Sequence, residues 1–128
     1  MNAYSAVQNY ANVKVHSSVE TASPHRLIQM LFEGALERIA QAKGAMQQNQ
    51  IARKGELIGK AVAIVGGLQG SLNDKEGGSL AANLDGLYDY IIRRLSQANY
   101  ENNPDYLDEC GRLLGEIKSA WDAIANQV

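Results

Sequence analysis

The run from Ser23 to Ala35, SPHRLIQMLFEGA, constrains this chain more than any other stretch. The Ser23 hydroxyl can accept a hydrogen bond from a free N–H of a first helical turn. Pro24 fits the first helical position, where its missing N–H costs nothing and its φ is already helical. Leu27, Ile28, Met30, Leu31, Phe32, Ala35, Leu36 and Ile39 follow. One core-facing stripe needs about three or four apolar residues per two turns. This helix carries more, so it is expected to have two apolar surfaces to cover.

Three further segments have helical periodicity. The first helix is expected over 24–48, ending in Gln47-Gln48-Asn49-Gln50. The second is expected over 51–72, where Ile58, Ala61, Val65, Leu68 and Leu72 repeat at 3-4-3-4, the spacing of a buried seam. Gly66-Gly67 interrupts it, at roughly 1 kcal/mol of helix propensity per glycine, and implies a kink, an early end or a close neighbouring backbone. Residues 73–78 form a loop, with Gly77-Gly78 as a tight lead into a third helix over 79–99. Its stripe is Leu80, Leu84, Leu87, Ile91, Leu95 and Ala98, with Tyr88 and Ile92 at the side. Asn103-Pro104-Asp105 repeats the logic of Ser23-Pro24 and adds an acid favoured by the helix dipole. The fourth helix, over 104–125, carries Leu107, Cys110, Leu114, Ile117, Trp121 and Ile124 at 3-4-3-4-3. Short connections make consecutive helices antiparallel neighbours. The expected fold is all-α: an antiparallel up-down four-helix bundle over 23–128, preceded by a flexible N-terminal arm over 1–22. Tyr4, Val7, Tyr10, Val13 and Val15 recur in that arm. They read either as residues that dock on the bundle or as incidental apolar positions in a frayed terminus.

Composition narrows the function classes. With 12 basic and 14 acidic residues the net charge is −2, which argues against the basic stripe that nucleic-acid binding needs. There is no apolar run of about 18 residues, so no membrane insertion is expected. The N-terminus does not read as a secretory signal. Cys110 is the single cysteine; a reducing cytosol suits it, and at a seam position it reads as an inert buried thiol. A di-metal bundle site would need Glu-x-x-His pairs on inward faces, and none occurs. His16 lies in the arm and His25 in a first turn, where a surface structural role is expected rather than ligation or phosphotransfer. Gly77-Gly78-Ser79 lacks the lysine of a phosphate-binding loop. No Ser, His and acid cluster can be nominated. The reading is a chain that is not an enzyme and takes no cofactor or metal.

The apolar surplus recurs as Leu27, Met30 and Phe32 in the first helix, Leu57 and Ile64 in the second, and Tyr88 and Ile92 in the third. These residues either line a thick core or leave outside grooves for another chain's helix or extended segment.

The same residues carry a family likeness that spans nearly the whole chain. It runs through Tyr10-Ala11, Val13 and Thr21-Ala22, then Ser23-Pro24-His25, Leu27-Ile28, Met30-Leu31-Phe32 and Gly34-Ala35. It continues in Lys54-Gly55-Glu56, Ile58 and Lys60-Ala61. It is densest in Gly77-Gly78, Ala82-Asn83-Leu84, Leu87-Tyr88-Asp89-Tyr90, Ile92-Arg93-Arg94-Leu95 and Ala98-Asn99, and looser around Ile117 and Trp121. In this order and spacing the chain resembles the FliS family, cytoplasmic export chaperones for flagellin. The resemblance implies a helical bundle that binds the disordered C-terminal region of flagellin, keeps it unpolymerised and delivers it to the flagellar type III export gate. It also implies, for some members, an anti-sigma factor or a small co-chaperone as a further partner. Gly66-Gly67 departs from the bulkier residues the resemblance implies there. Resemblance and apolar surplus together nominate Tyr10, Val13, Leu27, Leu31, Leu57, Ile64, Tyr88, Ile91, Ile92 and Leu95 as the flagellin groove. The alternative from the residues alone is a structural bundle that self-associates through the same flanks.

Overall fold

The structure, a computed structural model, describes residues 22–72 and 74–125, with backbone alone for 74–76. The expectations for the arm, including Tyr10 and Val13, therefore lie outside the described residues. Four helices make up the fold: α1 (Pro24–Gln47), α2 (Ile51–Gly70), α3 (Asp74–Glu101) and α4 (Pro104–Ala123). The expected caps form. Ser23 Oγ accepts from the Arg26 N–H at 3.1 Å, and Asn103 Oδ1 accepts from the Asp105 N–H at 2.9 Å. Two helices end through a left-handed asparagine. Asn49 has φ 58° and Asn102 has φ 55°. The N–H groups of Gln50 and Asn103 then reach back to the carbonyls of Ala45 and Ala98 at 2.9 and 3.1 Å. This reversal satisfies last-turn carbonyls and turns the chain within a few residues.

Side-chain contacts set the register. Lys54 near the start of α2 meets Asn99 and Asn102 at the end of α3, while Gln69 near the end of α2 meets Asp85 and Asp89. Gln29 pairs with Asp122, and Lys43 with Asp108, so α1 and α4 are antiparallel too. Each helix packs on two others, α1 on α2 and α4, α3 on α2 and α4. This is the expected four-helix bundle. The α1–α2 interface is the most extensive and α3–α4 the thinnest.

Three sequence expectations change. First, α2 runs unbroken through Gly66-Gly67 to Gly70. A Cβ on Gly66 would meet nothing within 4 Å, so no close backbone explains that residue. Second, α3 contains a break at Gly78, with φ 55° and ψ −130°, so that the long helix proper starts at Ser79 as expected while a helical stretch precedes it. Only glycine adopts that conformation without strain. Third, Leu80 is 66% exposed and Ala81 is buried instead. Leu80 lies in the first turn after the break, on the heptad line of Leu87 and Arg94 that faces α4 across the thinnest interface. The centres of the expected seams are buried, while Leu72, Leu87, Ile117, Trp121 and Ile124 are half-buried. Ile58, Ala61, Val65 and Leu68 of α2, Ile91, Leu95 and Ala98 of α3, and Leu107, Cys110 and Leu114 of α4 are buried around Leu31, Phe32, Ala35 and Ile39 of α1. No helix among the described residues is long and apolar enough to cross a membrane.

Candidate partner-binding surface

The eight nominated residues that are described separate by depth. Leu31, Leu57, Tyr88, Ile91 and Leu95 are buried and are part of the core cluster. The correction is largest for Tyr88, which spacing put at the side of its stripe. The inward line of α3 is Leu84, Tyr88, Ile91, Leu95 and Ala98, and burial pushes the Tyr88 phenol up to about 12. Leu27, Ile64 and Ile92 are half-buried and pack on the core's edge. Ile92 shares the side of α3 that carries Asp85, Asp89 and Asn99, so it faces α2, and half-buried Val62 lies on the matching side of α2. By helical phase Leu27 and Ile64 fall on the sides of α1 and α2 that face each other. Apolar edges therefore flank α2 on both sides. Met30 is half-buried, and Phe32 is in the core.

The opposite edge of α3 is held by a polar clasp. Glu109 of α4 accepts from Arg94 Nε and from the Tyr90 hydroxyl, each at 2.8 Å. The Arg94 guanidinium also lies 4.1 Å from the centroid of the Tyr106 ring. These contacts tie α3 to α4 across the least extensive of the four main helix interfaces. The Arg94 and Tyr90 hydrogen bonds hold the Glu109 carboxyl below its ordinary 4.5. The bond to Glu109 holds the Tyr90 phenol above its ordinary 10.0. A carboxyl lowered on folding adds stability above its unfolded value and loses it as pH falls through the folded one; a raised phenol loses its share as pH rises. Glu109→Gln is therefore expected to lower stability at pH 7. Its difference from the parent should shrink as pH drops below about 4. Urea melts at pH 7 and pH 3 check this, and a difference that stays constant would contradict it.

The histidine and the thiol take structural places. His25 is buried, not on the surface as expected. Its ring stacks on Trp121 with centroids 4.4 Å apart and planes 8° from parallel, and the indole N–H donates to the His25 carbonyl at 3.0 Å. Neither His25 ring nitrogen has a hydrogen-bond partner among the described residues. Cys110 is buried, its Sγ 3.7 Å from the Ile91 carbonyl, and burial pushes the thiol up to about 12, far from nucleophilic at neutral pH. Among the described residues no group of His, Cys, Asp and Glu is arranged to hold a metal ion.

A bundle with apolar edges fits many roles, and comparison with known sequences separates them. The sequence model of the family described as "Flagellar protein FliS" matches residues 6–128. The chain belongs to the FliS family. The flagellar secretion chaperone FliSB of Pseudomonas aeruginosa is 52% identical over 126 residues, 98% of this chain and 100% of that one. The flagellar secretion chaperones FliS of Vibrio cholerae and Salmonella typhimurium are 47% and 43% identical, over 93% and 94% of this chain and 88% and 90% of theirs. The FliS family match thus takes in all four helices and most of the stretch before α1.

What the sequence missed in this FliS bundle was the depth of its candidate residues. The available signal lay in α3, where Leu84, Tyr88, Ile91, Leu95 and Ala98 repeat at 4-3-4-3. That line competes with one through Leu87, and spacing alone does not rank the two.

Proposed function

We propose that this chain is a flagellar secretion chaperone acting in the bacterial cytoplasm. It binds the disordered C-terminal segment of flagellin, prevents premature polymerisation and hands its client to the flagellar export gate. The observation that carries this reading is the family match across residues 6–128, with relatives named as secretion chaperones over nearly their full length. The apolar edges beside α2 support it. A client that orders on binding forfeits about 2–5 kcal/mol, so it needs a long contact, and surfaces on both flanks of one helix provide the length. In this reading Leu27, Ile64 and Ile92 contact the client, and Tyr10 and Val13 belong to an arm that docks on the same flanks. An anti-sigma factor or a co-chaperone would be a second partner.

Calorimetry of the full chain against intact flagellin, and against flagellin lacking its C-terminal segment, tests the proposal. Binding of the intact protein alone is the expected result. Equal binding of both would remove the C-terminal segment from the reading, and a stable homodimer that ignores flagellin would replace it with self-association. Ile92→Glu is expected to weaken the complex about tenfold or more, as for a residue central to an interface, with circular dichroism unchanged. Unaltered affinity in that folded variant would take Ile92 out of the contact surface.

A further inference from the structure

At the end of the bundle that holds the α1–α2 and α3–α4 turns, a cavity of about 230 Å³ is lined by Met46, Asn49, Gln50, Ile51, Lys54, Asn99, Tyr100 and Asn102. Lys54 is the unusual member. It is only 6% exposed, and its Nζ donates to the Asn99 carbonyl at 3.1 Å and to Asn102 Oδ1 at 2.9 Å. An ammonium has three donors, and the third has no acceptor among the described residues. Both acceptors are neutral, and no described carboxylate pairs with Lys54. The carbonyl end of a helix offers about half an elementary charge, so the α3 terminus balances this buried cation only in part.

A second feature has the same sign. The cavity also lies at the N-terminus of α2, a helix of 20 residues whose N-cap, Gln50, makes no side-chain capping bond and whose first turn contains no acid. Its free N–H groups add partial positive charge beside the ammonium. The rim is apolar. Ile51 is 74% and Tyr100 91% exposed, two of the three large exposed hydrophobics among the described residues.

We infer that this end cavity is a docking site for an acidic peptide segment of a partner protein, one carboxylate side chain meeting Lys54 and the α2 N-terminus while an adjacent apolar side chain covers Ile51 and Tyr100. The site is separate from the flanks of α2 and does not rest on the flagellin reading. The carboxylate completes the lysine's donor set and caps the helix. The exposed isoleucine and tyrosine select a peptide over a free anion, because only a peptide brings apolar surface with the charge.

Amide NMR titration of the full chain with acetyl-Leu-Glu-Leu-amide tests this, with acetyl-Leu-Gln-Leu-amide and sodium acetate as comparisons. The Glu peptide is expected to shift the amides of Asn49, Ile51, Asn99, Tyr100 and Asn102 at millimolar concentration. The Gln peptide should bind about tenfold more weakly, the usual loss when a charged hydrogen bond becomes neutral. Tyr100→Ala, at an exposed position, should keep the fold and weaken the Glu peptide several-fold, about the loss of one apolar contact. Equal affinity for the Glu and Gln peptides, or shifts elsewhere on the bundle, would overturn the inference. So would acetate producing the same shifts at the same concentration, which would mean a small-anion site. Movement of these amides with protein concentration alone would assign the cavity to a second copy and overturn it equally.

Discussion

Phe32→Ala is expected to destabilise the bundle by about 3–5 kcal/mol, the range for removing a buried aromatic ring. A domain of this size has about 5–15 kcal/mol in total, so the variant should sit close to unfolding at ambient temperature. Phe32 is among the largest fully buried side chains, and it is on α1, which makes the most extensive interface of the bundle. Neighbouring helices cannot close the void without breaking their own seams, so the cost includes a cavity as well as lost transfer energy. Chemical denaturation with matched slopes measures it. A loss below about 1.5 kcal/mol, the level of a volume-conserving swap, would mean that Phe32 is not the centre of packing. Leu80→Ser is the counterpart. Spacing puts Leu80 on the same footing as Ile91, yet its exposure predicts a change within about 0.5 kcal/mol.

Tyr88→Asp is expected to abolish the cooperative native state, whereas Tyr88→Phe should cost no more than about 1.5 kcal/mol, the value of a single hydrogen bond. The ring is buried on the inward line of α3, beside Ile91 and Leu95. An aspartate there removes the ring and buries a charge, and no cation of the described ion pairs reaches that position. The distinction matters for reading flagellin-binding assays. A lost complex in Tyr88→Asp would report unfolding, while a lost complex in a folded Ile92→Glu would support the proposed surface. Thermal melts on both variants separate the two. A cooperative melt for Tyr88→Asp near that of the parent would show that the side chain is at the surface after all.

Much of the architecture is legible in the sequence. Ser23-Pro24 and Asn103-Pro104 announce two helix starts because capping and a fixed proline φ are local effects, and both caps form at hydrogen-bonding distance. The seams of α2 and α4 were legible because a single clean repeat has one solution. The seam of α3 was not, since its apolar residues support two adjacent lines and the choice depends on where α2 and α4 lie. Gly66-Gly67 does not end the helix: propensity counts glycine against a helix, but packing along Ile58, Ala61, Val65 and Leu68 outweighs a cost of about 2 kcal/mol.

The candidate surface was less legible than the fold for the same reason. A surplus of apolar residues on α1 shows that more than one surface is covered, and says nothing of which residue covers which. The Ser23–Ala35 run illustrates it: Leu31 and Phe32 are core, while Leu27 and Met30 remain at the edge. Lys54 is a sharper case. In the sequence it is one cation among 12. Burial against the end of α3 exists only once two distant helices meet.

Four helices, the N-caps Ser23 and Asn103, the antiparallel order and the family are legible in the sequence, because they follow from local propensity, short connections and residue pattern along one chain. The tertiary structure alone decided the depth of each apolar side chain, the Glu109 clasp, the stacking of His25 on Trp121 and the cavity around Lys54. Those depend on rotation and register between helices, which many small contacts set together and no single stretch of sequence encodes.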